Sequence, residues 1–281
     1  MAIARFALCA VLAFQVPAPK PAPAPESPPS LVARIAVIGA SASAGYKLHV
    51  TLADALDAQL AAVHDAPKCF ATETLFLEPL SIGEEQVARA AAIAPTLVVA
   101  ADFLFWFGYG EVSGGEPERL ANLDLGLELL DGITCPLIVS HFPDMTPAVG
   151  KMLMASQMPK QETLAKLDAR LDVWAAKRGH VAFVQMPEML VRLRLEELLT
   201  VGGVEFKGPA SKRRLIQSDE LHPTAEGLGV LARLCIDAAC GPTVGAKPAE
   251  FRLELSPVLD SLRELDESRA KALRGESQPN R

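Results

Sequence analysis

A stretch near the start of the chain, residues 35–45, constrains the fold most strongly. It begins with four apolar residues, mostly β-branched, which predict a short buried strand. Gly39 then interrupts the run, small residues follow, and from Tyr46 leucine at every fourth position predicts a helix. This order places Ser41 at the carboxyl end of a strand, the edge at which open α/β sheets bind their ligands. Backbone N–H groups at such a position can stabilise negative charge.

Segments typical of strands alternate with segments typical of helices over most of the chain. The predicted strands are residues 35–38, 72–77, 96–101, 136–140 and 181–185. The later predicted helices are residues 84–93, 118–130, 162–177 and 224–239. Such alternation predicts an α/β fold, with a parallel sheet covered by helices on both faces.

Charge excludes one class of partner. The 281 residues carry a net charge of −7, and the longest basic run is Lys212-Arg213-Arg214. Because nucleic-acid binding requires a basic patch or stripe, we expect no nucleic-acid partner.

The first 24 residues predict a secretory signal peptide. Arg5 precedes an apolar run at residues 6–14, which is too short to span a bilayer, and small residues and prolines follow. A short membrane anchor is the alternative. We expect an exported protein, periplasmic or extracellular, that has no stable membrane span after cleavage. Residues 25–31 continue as a linker rich in proline and alanine.

Beyond the signal peptide the chain has four cysteines, at positions 69, 135, 235 and 240. Four cysteines allow three pairings, and the sequence does not choose among them. No Cys-x-x-Cys and no histidine-rich spacing occurs, so neither a metal site nor a cofactor is expected.

The last 40 residues differ in composition from the rest. Residues 32–241 form the predicted domain, and residues 242–281 comprise a Gly/Pro/Ala-rich linker and a charged amphipathic helix at 256–273. That helix could pack on the domain, bind a partner or stay disordered, and we favour packing.

A second segment, Ser218-Asp-Glu-Leu-His222-Pro223, carries the groups that a serine nucleophile needs. Pro223 disfavours a helical conformation at His222 and favours a helix start after it. Asp219, three residues before His222, can reach one ring nitrogen and leave the other free to accept a proton. A serine hydroxyl requires such a base because it is a weak nucleophile while protonated.

Together these two segments resemble the SGNH (GDSL-type) hydrolase family. Residues 39–45 match its first block, Gly-Asp-Ser-x-x-x-Gly, except that Ala40 replaces the aspartate, and residues 219–223 match its last block in full. The similarity spans roughly residues 32–240. It implies a three-layer α/β/α sandwich with a central parallel sheet, of flavodoxin-like type, and a triad of Ser41, His222 and Asp219. The implied activity is hydrolysis of an ester, and the expected substrate is a small-molecule ester, an acylated carbohydrate or a lipid.

The chain departs from the family at the oxyanion hole. The family uses a glycine after the second strand, for which Gly83 is our candidate, and an asparagine after the third strand. Asp102 occupies that second place, and an ionised aspartate cannot donate a hydrogen bond. Asp102 is therefore either part of the hole or pocket, or a structural acceptor for nearby backbone N–H groups. His141, which follows the fourth strand, is a further pocket candidate, and Ser43 is expected to be a cap.

Two other functions stay open. Residues 39–45 also resemble the phosphate-binding turn of dinucleotide-binding reductases, but Ala42 stands where the middle glycine would be, and only Glu78 could serve as the acidic partner. The Tyr-x-x-x-Lys pair of those enzymes is absent. The second alternative is a non-catalytic or weakly active binding protein that kept the scaffold and lost the oxyanion hole.

Overall fold

The computed structural model describes residues 30–275. The predicted signal peptide at residues 1–24 and most of the predicted linker at residues 25–31 lie outside the described residues. Within residues 30–275, no helix is both long enough and apolar enough to cross a membrane.

A five-stranded parallel sheet forms the centre of the molecule. Its strands are β1 (Ile35–Val37), β2 (Lys68–Cys69), β3 (Leu97–Ala100), β4 (Leu137–Ser140) and β5 (Val181–Val184). Their spatial order is β2-β1-β3-β4-β5, and every neighbouring pair is parallel. The chain therefore reverses its direction of travel between β1 and β3, which is where sheets of this order place their ligand crevice.

Helices cover both faces of the sheet. The helices are α1 (Ser41–Ala44), α2 (Leu52–Asp57), α3 (Pro79–Ala92), α4 (Phe105–Gly108), α5 (Gly115–Leu130), α6 (Gln161–Ala176), α7 (Met186–Arg194), α8 (Pro209–Leu215), α9 (Ala225–Cys240) and α10 (Ser256–Leu273). α2 and α9 pack together on one side, whereas α3, α5 and α6 form the opposite layer. The predicted three-layer α/β/α sandwich with a central parallel sheet is confirmed.

The helix predicted from Tyr46 is interrupted, and that prediction was wrong. α1 lasts one turn and ends at Gly45, which has a left-handed backbone with φ 81°. A Cβ at Gly45 would lie 1.9 Å from the carbonyl oxygen of Val50, so the chain folds back tightly there. α2 then starts afresh at Thr51, whose side chain forms a capping box with Asp54.

The second strand was also predicted in the wrong place. β2 is the two-residue pairing Lys68–Cys69 at the sheet edge, and none of residues 72–77 is in a strand, since 73–77 form turns. Leu75 is buried, but Phe76 and Leu77 are 48% and 63% exposed. A short apolar run is compatible with a buried strand or with a surface loop, and periodicity alone does not distinguish them.

The C-terminal helix α10 packs on the domain. Leu259 and Leu262 are buried against Gly229 of α9, where a Cβ would come within 2.6 Å of Leu259. Arg269 also pairs with Asp54 of α2 at 2.9 Å. Of the three options that the sequence left open, the structure shows packing.

All four described cysteines are free thiols. Residues 190–217, which have little periodicity, contain the end of α7, all of α8 and a hairpin of β6 (Leu199–Val201) and β7 (Val204–Phe206) that turns at Gly202-Gly203.

Candidate active site

Ser41 is the first residue of α1, directly after the turn that leaves β1. Two buried side chains hold that turn in place. The Gln86 amide bonds Gly39 on both sides, accepting from its N–H at 2.7 Å and donating to its carbonyl at 3.0 Å. Asp102 approaches from the end of β3 so closely that a Cβ on Gly39 would lie 2.1 Å from its carboxylate oxygen. Glycine is therefore required at position 39 by close approach.

The loop before α9 presents His222 in a fixed orientation. Asp219 Oδ1 accepts from the backbone N–H groups of Leu221 and His222, each at 3.0 Å, and Asp219 Oδ2 lies 2.9 Å from His222 Nδ1. The ring of Tyr46 stacks on the His222 ring with centroids 4.1 Å apart. The His222 side chain is only 2% exposed. Asp219 at its edge and Tyr46 on its face therefore fix the orientation of the imidazole before any ligand binds.

The two segments meet across 181 residues of sequence. His222 Nε2 lies 2.9 Å from Ser41 Oγ. The Gln217 amide joins the segments a second time, because it donates to the carbonyls of Tyr46 and Pro223, each at 2.8 Å. With a proton on Nδ1 donated to Asp219, Nε2 is free to accept from the Ser41 hydroxyl. Serine, base and orienting carboxylate are thus in the order that nucleophilic catalysis needs.

Asp219 and Glu220 are both favoured as anions. Burial raises the pKa of Asp219, but the bonds from the backbone and ring of His222 outweigh this effect, so its pKa lies below the usual value. Burial likewise raises the pKa of Glu220, and the ammonium groups of Lys212 and Lys151 lower it by more. Glu220 bonds Lys212 at 2.7 Å and Lys151 at 3.3 Å, which ties the histidine loop to two other segments.

These shifts predict acid sensitivity of the histidine loop. A carboxyl whose pKa is lower in the folded state contributes stability above its unfolded pKa, about 4, and loses that contribution as the pH falls through the folded pKa. We expect Glu220→Gln to lose less unfolding free energy than the wild type between about pH 5 and about pH 3. Urea unfolding at the two pH values measures the loss of unfolding free energy in each protein. Glu267→Gln, at an exposed site on α10, is the control, and equal losses in all three proteins would contradict the prediction.

Asp102 is a buried acceptor, and the structure favours this reading over a role as an oxyanion-hole group. Its carboxylate accepts from the N–H of Ala40 at 3.0 Å, the N–H of Ser43 at 3.0 Å and the hydroxyl of Ser43 at 2.6 Å. Burial raises the pKa of Asp102, and these hydrogen bonds, together with one from the Ala42 N–H, oppose the rise. Ala40 itself provides no side-chain cap. Asp102, at the end of the neighbouring strand β3, therefore provides the side-chain hydrogen bonds that stabilise this turn.

Ser43, expected to be a cap, is instead fully buried and donates its hydroxyl to Asp102. Ser43 can reach Asp102 because β1 and β3 are neighbouring parallel strands, and their carboxyl ends lie side by side.

Gly83 and His141 are not brought to Ser41, and both predictions are corrected. Gly83 lies inside α3, where helix hydrogen bonds engage the backbone, and a Cβ there would meet Leu129 at 3.0 Å and Phe103 at 3.1 Å. It is a helix-packing glycine. His141 Nε2 bonds Asp172 at 2.8 Å and its ring stacks on Phe183 with centroids 4.2 Å apart. Both contacts hold it over α6 and β5.

An apolar pocket opens beside Ser41 and His222 and has a volume of about 50 Å³. Its apolar side chains come from α4, from the loop after β4, from α7 and from the histidine loop: Phe105, Pro143, Met145, Met186, Leu190 and Leu221. Sequence reasoning identified none of these side chains as a pocket wall. It also missed Tyr46, Gln86 and Gln217, and a buried glutamine or a tyrosine next to the nucleophile turn gives no periodic signal.

Residues 30–275 contain no group of three or more His, Cys, Asp or Glu side chains that could hold a metal ion. Glu78, the acidic residue of the reductase alternative, precedes α3 and does not end β2. The structure therefore gives that alternative no ribose-binding carboxylate at the expected place.

Comparisons with known proteins were made for the whole chain. No family model matches it, and no curated protein matches it. Among solved structures, a Bacteroides fragilis protein assigned as an acylhydrolase is 18% identical with a TM-score of 0.47, covering 73% of this chain and 86% of its own. A gut microbial diltiazem-metabolizing enzyme is 12% identical with a TM-score of 0.49, covering 76% and 48%. A Parabacteroides merdae protein assigned as a GDSL-like lipase is 13% identical with a TM-score of 0.40, covering 78% and 100%.

Proposed function

We propose that this protein is a serine hydrolase that cleaves ester bonds, with Ser41 as nucleophile, His222 as base and Asp219 as its orienting carboxylate. The observation that carries the proposal is the unbroken chain of two 2.9 Å contacts, from Ser41 Oγ to His222 Nε2 and from His222 Nδ1 to Asp219 Oδ2. A structural histidine needs one such partner, whereas this one joins a half-buried hydroxyl to a carboxylate beside an apolar pocket.

The reaction follows from these contacts. Ser41 Oγ attacks the ester carbonyl carbon while His222 Nε2 takes the hydroxyl proton, and Asp219 stabilises the imidazolium that forms. The bond from the carbonyl carbon to the alcohol oxygen then breaks, and the departing alcohol takes the proton from His222. Water attacks the acyl-enzyme with His222 again as base, which releases the acid and restores Ser41.

The oxyanion is stabilised sparsely at this turn. The N–H groups of Ala40, Ala42 and Ser43 face Asp102, whereas that of Ser41 has no acceptor within the described part of the chain. The Ser41 N–H is therefore the donor that the turn offers to a substrate. Because loss of one oxyanion donor lowers rates on the order of 100- to 1,000-fold, we expect modest turnover.

A fluorophosphonate probe tests the proposal directly. It reacts with a serine only when a base activates the hydroxyl. We expect a single adduct on the folded protein, mapped by mass spectrometry to Ser41, and no adduct after heat denaturation or in His222→Asn. Folded protein that stays unlabelled at Ser41 would remove the catalytic proposal and favour the non-catalytic binding protein.

A further inference from the structure

The apolar pocket beside Ser41 offers almost nothing to a polar ligand. Apart from Ser41 and His222, its only ionisable lining residue is Asp102. Both Asp102 oxygens already accept hydrogen bonds from Ala40 and Ser43. A hydroxyl or amide entering the pocket would lose its hydrogen bonds to water without replacement, so the pocket suits an alkyl group.

Its size limits the length of that alkyl group. A cavity needs a volume of about 10–15 Å³ to hold one water molecule, and a cavity of about 150 Å³ binds benzene. The apolar pocket has a volume of about 50 Å³. Judged by those two references, it has room for between about two and about five non-hydrogen atoms.

The walls are held from behind, which opposes widening of the pocket. Phe105 stacks on Tyr109 with ring centroids 4.1 Å apart. The Tyr109 hydroxyl donates to the Pro143 carbonyl and accepts from the Met145 N–H at 3.3 Å. Leu190 and Met145 are 7% and 3% exposed.

We propose that the apolar pocket holds the acyl group of the substrate and restricts this hydrolase to esters of short aliphatic acids, with two to four carbons. The inference rests on the proposed function. The acyl group is assigned to the pocket because it stays bonded to Ser41 after the alcohol has left, and Ser41 and Ala42 both line the pocket. Esters of longer acids are disfavoured because their chains meet braced side chains.

Nitrophenyl esters of acids with two, four, six and eight carbons test the proposal at a constant leaving group. We expect kcat/KM to be greatest at two to four carbons and at least about tenfold lower at six, since one methylene group in an apolar site changes kcat/KM by about 10- to 200-fold. A second series, acetate esters of ethanol, butanol and octanol, keeps the acyl group constant. It should show a smaller dependence on chain length, and the reverse pattern would assign the pocket to the alcohol and overturn the proposal.

Enlarging the pocket supplies the complementary test. Leu190→Ala should raise the ratio of six-carbon to two-carbon kcat/KM at least about tenfold. Val191→Ala, at the next residue of α7, which is 48% exposed, is the matched control and should leave the ratio unchanged. If Leu190→Ala fails to fold, Met186→Ala at the start of α7 replaces it.

The outcomes separate the two proposals. Labelling of Ser41 by fluorophosphonate with best turnover at six or eight carbons overturns the acyl-length inference and leaves the hydrolase proposal intact. No labelling and no turnover of any ester removes both.

Discussion

Ser41→Ala is expected to reduce kcat for ester hydrolysis on the order of 10⁴- to 10⁶-fold. The methyl group cannot form the acyl-enzyme, and His222 Nε2 loses the hydroxyl that lies 2.9 Å away. No other described serine is bonded to His222, so no hydroxyl in residues 30–275 is placed to substitute. The measurement is the rate of nitrophenol release from a short-chain ester by purified wild type and variant.

The comparison is informative only if the variant folds like the wild type. Ser41 is half-buried, and no backbone group accepts its hydroxyl, so we expect the thermal midpoint to change little. A variant that keeps more than a tenth of wild-type turnover would show that Ser41 is not the nucleophile. Ser261→Ala, at an exposed position of α10, is the matched control and should keep full activity.

Asp102→Asn is expected to lower kcat on the order of 100-fold while KM stays within a small factor. The amide has nearly the shape of the carboxylate. Its NH₂ group, however, would face the backbone N–H of Ala40 or Ser43, which now donates a hydrogen bond to Asp102, and two donors cannot bond each other. The turn would shift, and a displacement of about 1 Å at a reacting atom reduces rates by that order. The kcat from steady-state kinetics and the rate of fluorophosphonate labelling should both decrease, by similar factors.

A graded series distinguishes positioning from loss of folding. Ser43→Ala removes only the 2.6 Å bond to Asp102 and should have a smaller effect on kcat. Asp102→Ala removes the acceptor of four donors, the N–H groups of Ala40, Ala42 and Ser43 and the hydroxyl of Ser43. Because each buried donor left unsatisfied destabilises the fold by about 1–3 kcal/mol, this variant should have a markedly lower thermal midpoint. A changed pH profile of kcat in folded Asp102→Asn would contradict a positioning role, because it would indicate that Asp102 takes part in proton transfer.

Sequence reasoning was most accurate where the signal is local. The strand before Gly39, the start of α9 just after Pro223 and the fold of Asp219 back onto His222 each involve neighbours within a few residues. It was least accurate where a local signal was ambiguous or a partner was distant. The helix predicted from Tyr46 was broken by a close approach at Gly45, and Gly83 was assigned by its place in a family pattern although it lies within α3.

The pocket is the clearest case of information that no segment carries alone. Its walls come from α4, the loop after β4, α7 and the histidine loop, which are separated in sequence and meet only at the carboxyl edge of the sheet. None of these segments has a pattern that distinguishes a pocket wall from ordinary core, because both require apolar side chains.

The amino-acid pattern by itself determined the class of fold, the turn that presents Ser41 and the pairing of Asp219 with His222, since each depends on backbone preferences or on side chains a few residues apart. Only the tertiary structure decided that Ser41 and His222 touch, that Asp102 braces the nucleophile turn from a neighbouring strand, and how much space lies beside the hydroxyl. Those contacts depend on the strand order at the reversal between β1 and β3, which is set by the packing of the whole sheet.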